Sequence, residues 1–206
     1  MHKLDRPYPG PSVLQKAKTE GLAWDEFHEK EEVQLALSVM QNNRCAYCES
    51  SLKIGEGHIE HFRRKNKDWF PALTFEWSNL FYSCMRNGSC GCHKDRPGVL
   101  AKDQLDLLID PCVDNPEDFL VFTADGNVSP RSGLSEADHK RAVLTIDVFN
   151  LRHPDLKCAR ANEIKKYKWM IDTDLTNAEV EDCLAVTPID QYITAVYHYL
   201  GQRVVA

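Results

Sequence analysis

Four sequence segments decide the fold of this chain: CAYCE (45–49), HIEHFRRK (58–65), FEWSNLFYSC (75–84) and CGCHKD (90–95). Cys45 and Cys48 form a Cys-x2-Cys pair, whose two thiolates leave one tight turn and can share an edge of a zinc tetrahedron. Cys84 supplies one member of a second pair, and the other member is Cys90 or Cys92. The spacing predicts a structural zinc site that organises this region.

The chain has eight cysteines, and five of them fall between Cys45 and Cys92. An even number of cysteines also suits a disulfide framework in a secreted protein. The first residues, MHKLDRPYPGP, lack an apolar signal core, so we expect a cytoplasmic protein and favour metal binding. The alternative of reduced, buried thiols suits three cysteines that stand apart from this group, namely Cys112, Cys158 and Cys183.

Composition describes a globular chain with a local basic segment. The 206 residues are 43% hydrophobic and 27% charged, enough for one domain or two small ones, and no apolar run approaches the ~20 residues of a membrane span. The net charge of −6 argues against a stand-alone nucleic-acid-binding protein. Basic residues nevertheless cluster around the cysteines: His61, Arg63, Arg64, Lys65, Lys67, Arg86, Lys94 and Arg96. Such a run is usually a solvated face, but here it suggests a local nucleic-acid site completed by a partner.

The expected fold class is α+β and mostly helical, in three regions. Residues 1–41 would form an extended arm and a helix from Trp24 to Met40, and residues 42–100 a zinc-organised core. Within the core, Thr74 is a candidate N-cap for a short helix that runs through Leu80. Residues 101–206 would form a hairpin and a helical support or interaction region.

Turn and capping signals divide this last region. Asp125-Gly126 predicts the tight turn of a hairpin over residues 119–128. One helix is expected to begin at Ser135 and another after Pro154, with an apolar stripe of Leu156, Ile164, Tyr167 and Ile171. A third should begin at Thr176, with Glu179 completing a capping box. The last should begin at Thr187-Pro188 and end at Gly201. No catalytic pattern occurs among these residues.

Between the cysteine pairs lie Glu60-His61 and, later, Asn79. A hydrolytic nuclease needs a base to activate water and a divalent metal on the scissile phosphate. Glu60 and His61 at a strand end would supply acid and base, and Asn79 can fix the loop after His61 by bonding its backbone. His58 is three residues before His61, an odd offset that places the two on opposite strand faces, so we expect His58 outside the site. The plainer alternative for His61 is a structural histidine beside a zinc knuckle.

The order Cys-x2-Cys, acid–His–apolar, Trp-x-Asn-Leu, Cys, Cys-x3-Lys resembles that of the ββα-metal (HNH) endonucleases. The resemblance is closest to the PtuB-type HNH proteins of Septu antiphage defence systems and their retron-associated relatives. It spans about residues 40 to 165, with weaker echoes in IDPCVDNPEDFLVF (109–122) and LTIDVFNL (144–151). It implies that residues 42–100 form a small ββα-metal core with flanking helices.

The resemblance also implies roles for particular residues. His61 matches the general base, Glu60 the acid on or near the catalytic ion and Asn79 the structural clamp; the zinc positions match Cys45, Cys48, Cys84 and Cys90. Many family members carry His, Asn or Asp directly after the last zinc cysteine, where this chain has Gly91. Either His93 reaches the metal from two residues further on, or Cys92 is the zinc ligand and His93 follows it directly. The Cys-x3-Lys spacing favours the first alternative.

The function implied is a metal-dependent endonuclease with structural Zn²⁺ and catalytic Mg²⁺ or Mn²⁺. Its partners would be a nucleic acid, DNA or RNA, and a PtuA-like ATPase, with a retron reverse transcriptase and its DNA–RNA product in retron systems. The alternative is a non-catalytic zinc-knuckle module that binds nucleic acid or protein. That alternative explains the cysteines and the basic run, but it leaves Glu60-His61 and Asn79 without a purpose.

Overall fold

The structure is a computed structural model that describes residues 1–173, 175–186 and 189–201. Within those ranges the helices are α1 (Ser12–Glu20), α2 (Lys30–Met40), α3 (Cys90–Lys94), α4 (Glu136–Val148), α5 (Pro154–Lys165), α6 (Lys168–Asp172), α7 (Asn177–Val186) and α8 (Ile193–Tyr199). The strands are β1 (Gly57–His61), β2 (Leu80–Cys84), β3 (Leu120–Phe122) and β4 (Val128–Pro130). Helices outweigh strands, and the expected α+β class is confirmed.

The hairpin of β1 and β2 carries the site. The two strands are antiparallel, with Gly57 opposite Cys84 and His61 opposite Leu80. Every residue of β2 is buried, and α3 packs against this strand. The start of β1 and the end of β2 therefore lie side by side, and α3 packs against β2 next to them.

The C-terminal half is packed onto this core through Phe149, which follows α4. Its ring stacks on Tyr47 with centroids 4.0 Å apart, and its carbonyl oxygen accepts a hydrogen bond from the Cys90 backbone at 2.8 Å. Further along, the buried Glu49 carboxylate accepts bonds from the backbone N–H and hydroxyl of Thr194, at 2.9 and 2.7 Å. These contacts hold the cysteine turn from two sides.

Three predictions made from local signals in the C-terminal half are confirmed. β3 and β4 pair around the turn that contains Gly126, whose φ is +79°. Ser135 caps α4 by accepting from the Asp138 backbone at 3.1 Å. Thr176 and Glu179 bond each other reciprocally before α7, as a capping box requires.

Four expectations about helices need correction or qualification. The helix expected from Trp24 begins only at Lys30, because Trp24 and Phe27 pack from a loop against Phe75. Thr74 is not an N-cap: it ends a 3-10 turn over Pro71–Leu73, and its hydroxyl donates to the Pro71 carbonyl at 2.7 Å.

The single stripe after Pro154 breaks into α5 and α6, and Ile171 is 46% exposed. The start expected at Thr187-Pro188 lies outside the described residues. Helix α1, which we did not predict, ends in a left-handed Gly21. None of the helices in the described residues combines the length and apolar character that crossing a bilayer requires.

Candidate metal cluster and active site

Four cysteine sulfurs form a buried cluster. Cys45 and Cys48 come from the turn before β1, Cys84 from the end of β2 and Cys90 from the start of α3. All four sulfurs lie within 4.8 Å of one another, and those of Cys48 and Cys84 are 3.8 Å apart. Sulfurs ~2.3 Å from a tetrahedral zinc ion would lie about 3.8 Å apart. The cluster could therefore hold a structural metal such as zinc.

Within the cluster Cys48 is the thiol that ionises most readily, whereas hydrogen bonds to the neighbouring thiols raise the pKa of Cys84 and Cys90. Hydrogen bonds from the thiols of Cys45, then Cys84 and Cys90, lower the pKa of Cys48 well below its usual range. Cys92 lies apart from this group: it is half-buried, and its sulfur is 3.9 Å from the Cys84 carbonyl oxygen. The structure thus brings together the set that includes Cys90, without Cys92.

His61, at the end of β1, is buried with 6% exposure. Its Nε2 lies 3.0 Å from the carbonyl oxygen of Thr74, and its ring meets Trp24 edge-on with centroids 4.5 Å apart. A carbonyl oxygen can only accept, so Nε2 carries the proton and the neutral ring keeps its lone pair on Nδ1. Burial, with the nearby charge of Lys65, lowers the pKa of His61 to about 4. The ring is therefore a neutral base at physiological pH.

Glu60 is buried beside Lys94, which is fully buried as well. The Lys94 Nζ lies 2.8 Å from Glu60 Oε1 and donates to the His61 carbonyl oxygen at 3.0 Å and to Asp95 Oδ1 at 2.7 Å. Burial opposes the charge of Glu60, but Lys94 and a hydrogen bond from His58 outweigh it and lower the pKa of this carboxyl. Glu60 is thus an ionised carboxylate in a largely desolvated position.

Asn79 holds the loop that follows His61. Its Oδ1 accepts from the Arg63 backbone N–H at 2.8 Å, and its Nδ2 donates to the carbonyl oxygens of Arg63 at 2.9 Å and Leu73 at 3.1 Å. Leu73 directly precedes Thr74, the residue that accepts from His61. One amide therefore connects both segments that orient the histidine ring.

His58 lies within the site, contrary to our expectation. Its Nε2 is 3.3 Å from Glu60 Oε2, because residues two apart on a strand share a face. Comparing His58 with Glu60 rather than with His61 would have revealed this from the sequence. Gly91 approaches the same pair: a Cβ added to it would lie 2.5 Å from Glu60 Oε2 and 3.1 Å from His58 Nε2.

A surface cavity of about 360 Å³ connects these groups. It is lined by His58, Ile59, Glu60, His61, Arg64, Lys65, Asn66 and Asp95. His93 is not among these lining residues, and its Nδ1 is 2.9 Å from the carbonyl oxygen of Val148. A second cavity of about 520 Å³ shares Lys65 and Asn66 with the first. These two adjoining cavities are called the groove below; His61 lines its smaller part, and Lys18, Arg64 and Lys65 make it partly basic.

Comparison with known proteins gives two relatives with one description. The chain is 28% identical over 166 residues to the Septu protein PtuB of Bacillus mycoides (strain KBAB4), which covers 68% of this chain and 55% of that protein. It is 35% identical over 89 residues to the Septu protein PtuB of Bacillus thuringiensis, covering 43% of this chain and 32% of that protein. The chain thus spans about half or less of these relatives' lengths. No family model matches the chain.

Proposed function

We propose, from the premise that this chain belongs to the PtuB-type family, that it is a metal-dependent HNH endonuclease that hydrolyses phosphodiester bonds in antiphage defence. One observation carries the proposal: His61, a neutral base with its lone pair on Nδ1, lines the same cavity as the ionised Glu60. A hydrolase needs both a base for water and a carboxylate for a cation. A zinc-binding module needs neither.

Each residue of the site has a separate role in the proposed hydrolysis. His61 Nδ1 takes a proton from the attacking water, while the Thr74 carbonyl oxygen stabilises the imidazolium that results. Glu60 would hold a divalent cation, which when bound would polarise the scissile phosphate as a Lewis acid. Arg64 and Lys65, on the cavity wall, position the phosphate backbone of the substrate. Asn79 holds the loop that follows His61 in place through hydrogen bonds to its backbone.

The donors fit a divalent cation. Glu60 offers an ionised oxygen within a cavity, and Gly91 has no Cβ that would clash with this carboxylate. The cysteine cluster has a separate purpose, since a four-sulfur site is closed and holds Zn²⁺ for folding. The order β1, β2, α3 around these groups supports the proposed ββα-metal core in residues 42–100.

The proposed function also includes partners that bind this chain. The chain is acidic overall, with basic side chains concentrated near the groove, so a partner completes the nucleic-acid surface. Both relatives are Septu proteins, and the partner we propose is a PtuA-like ATPase, joined in retron systems by a reverse transcriptase and its DNA–RNA product. We place this assembly in the cytoplasm. The helical part of residues 101–206 is the proposed docking region, and residues 1–41 brace the core.

The test is strand cleavage by the partner-bound protein on supercoiled plasmid and on total RNA, with Mg²⁺ or Mn²⁺. His61→Ala should lower the cleavage rate by ~10²–10⁴-fold, the usual effect of losing a general base. Assays at low temperature, with zinc content measured, separate this loss from unfolding, because the buried His61 ring also contributes to stability. The exposed His139→Ala is the matched control. Equal cleavage by His61→Ala and wild type would favour the non-catalytic zinc-knuckle module.

A further inference from the structure

Gly91, the residue after Cys90, lies directly beside the Glu60 carboxylate. Gly91 has no side chain to offer a cation, yet its Cα directly faces the Glu60 carboxylate. The Glu60 carboxylate and the His58 ring lie where a side chain would begin, because a Cβ at Gly91 would be 2.5 Å from Glu60 Oε2 and 3.1 Å from His58 Nε2. An imidazole therefore reaches this point from β1 rather than from α3.

We propose that His58 and Glu60 together bind the catalytic cation, and that Gly91 is required because it leaves room for them. The proposal rests on the endonuclease function above and assigns its metal site. The two donors, His58 Nε2 and Glu60 Oε2, are 3.3 Å apart. Two donors at ~2.1 Å from one cation would be about 3.0 Å apart in octahedral geometry and about 3.4 Å apart in tetrahedral geometry. The observed separation lies between these values.

The carboxylate is already oriented for this purpose. Lys94 Nζ holds Glu60 Oε1 at 2.8 Å, so Oε2 is the oxygen turned toward His58. The His58 side chain keeps 32% exposure, whereas that of Glu60 has 2%, so a cation can reach the pair from the cavity side. His93 does not line this cavity, and its Nδ1 lies 2.9 Å from the Val148 carbonyl oxygen.

The two donor atoms predict which divalent metal the site prefers. Mg²⁺ prefers oxygen donors, whereas imidazole nitrogen suits transition metals, and Mn²⁺ accepts both. A site of one imidazole and one carboxylate should therefore bind Mn²⁺ more tightly than Mg²⁺. The remaining positions stay open for water and for the phosphate oxygens of the substrate.

The test measures Mn²⁺ on zinc-loaded, full-length protein by electron paramagnetic resonance, with no substrate and no activity assay. Free Mn²⁺ is counted from its six-line signal, and a bound imidazole is detected as nitrogen modulation of the electron spin echo. We expect one Mn²⁺ per chain with nitrogen modulation. His58→Ala should remove the modulation and weaken binding at least about tenfold. His61→Ala and the exposed control His139→Ala should retain both signals.

A second variant tests the role of the glycine without touching a donor. Gly91→Ala would place a Cβ 2.5 Å from Glu60 Oε2, so it should weaken Mn²⁺ binding while zinc content stays at the wild-type value. Unchanged Mn²⁺ affinity and modulation in His58→Ala would overturn the proposal, and so would their loss in His93→Ala instead. Wild type that binds no Mn²⁺ would overturn it too. If wild type bound Mn²⁺ through His58 but its partner complex cut no strand, the endonuclease function would fall and this metal site would remain.

Discussion

The Nε2 atom of His61 lies 3.0 Å from the carbonyl oxygen of Thr74, thirteen residues further along the chain. This contact sets which ring nitrogen carries the proton, and it depends on the loop that Asn79 holds through the Leu73 and Arg63 backbones. The chemistry at His61 is therefore coupled to hydrogen bonds that touch no substrate.

His61 should titrate with a midpoint of about 4, because burial and then the positive charge of Lys65 oppose protonation of the ring. The measurement is the pH dependence of its imidazole Cε1–H resonance in ¹³C-labelled protein, assigned by the signal lost in His61→Asn. A midpoint at or above the ordinary histidine value of ~6.5 would contradict the buried, neutral ring.

The same shift makes stability depend on pH. Because the folded pKa of about 4 lies below the unfolded value of ~6.5, the unfolded chain binds more protons between these values. The free energy of unfolding should therefore rise from pH 4 to pH 6.5 through this group, by an amount on the order of 3 kcal/mol, and gain nothing from it above pH 6.5. Urea titrations across this range check the slope, which His61→Asn should reduce and His139→Asn should leave unchanged.

Asn79→Ala should lower the free energy of unfolding by about 2–4 kcal/mol, because three side-chain hydrogen bonds to partly buried backbone groups are lost. Hydrogen exchange should accelerate at the Arg63 amide, whose acceptor is the Asn79 Oδ1. Ser78→Ala, at the exposed neighbouring position, is the control. Wild-type exchange at Arg63 in Asn79→Ala would show that the amide does not clamp this loop.

Local sequence patterns predict some contacts of this structure and not others. The caps at Ser135 and Thr176 were predictable because both partners of each bond lie three residues apart. Thr74 was predicted as a cap for the same local reason, yet its carbonyl accepts from His61, a contact between distant residues that no spacing rule reports. His58 was placed outside the site because its offset was compared with the wrong neighbour.

Lys94→Met should destabilise the protein by about 3–5 kcal/mol, because it leaves the buried Glu60 charge without its partner. The double variant Lys94→Met with Glu60→Gln should recover part of this loss, since it removes the unpaired charge. Denaturant unfolding of both variants measures the difference, and the exposed Lys67→Met serves as control. If the double variant were no more stable than Lys94→Met, the ion pair would not be the source of the loss.

Cys90→Ser should release the structural metal, whereas Cys92→Ser should retain it. The Cys90 sulfur lies in the buried cluster with Cys45, Cys48 and Cys84, while Cys92 stands apart and is half-buried. A serine hydroxyl does not ionise near neutral pH, so it cannot replace a thiolate ligand. Because metal binding in small sites of this kind is coupled to folding, loss of the metal should also unfold the hairpin of β1 and β2.

The measurement is zinc per chain by elemental analysis on each purified variant, followed by thermal unfolding with and without added zinc. We expect about one zinc per chain in wild type and Cys92→Ser, and a large fall in both zinc and melting temperature in Cys90→Ser. The opposite order would identify Cys92 as the fourth ligand. That result would place His93 directly after the last zinc cysteine, and it would require α3 to be rotated relative to the arrangement in which Gly91 faces Glu60.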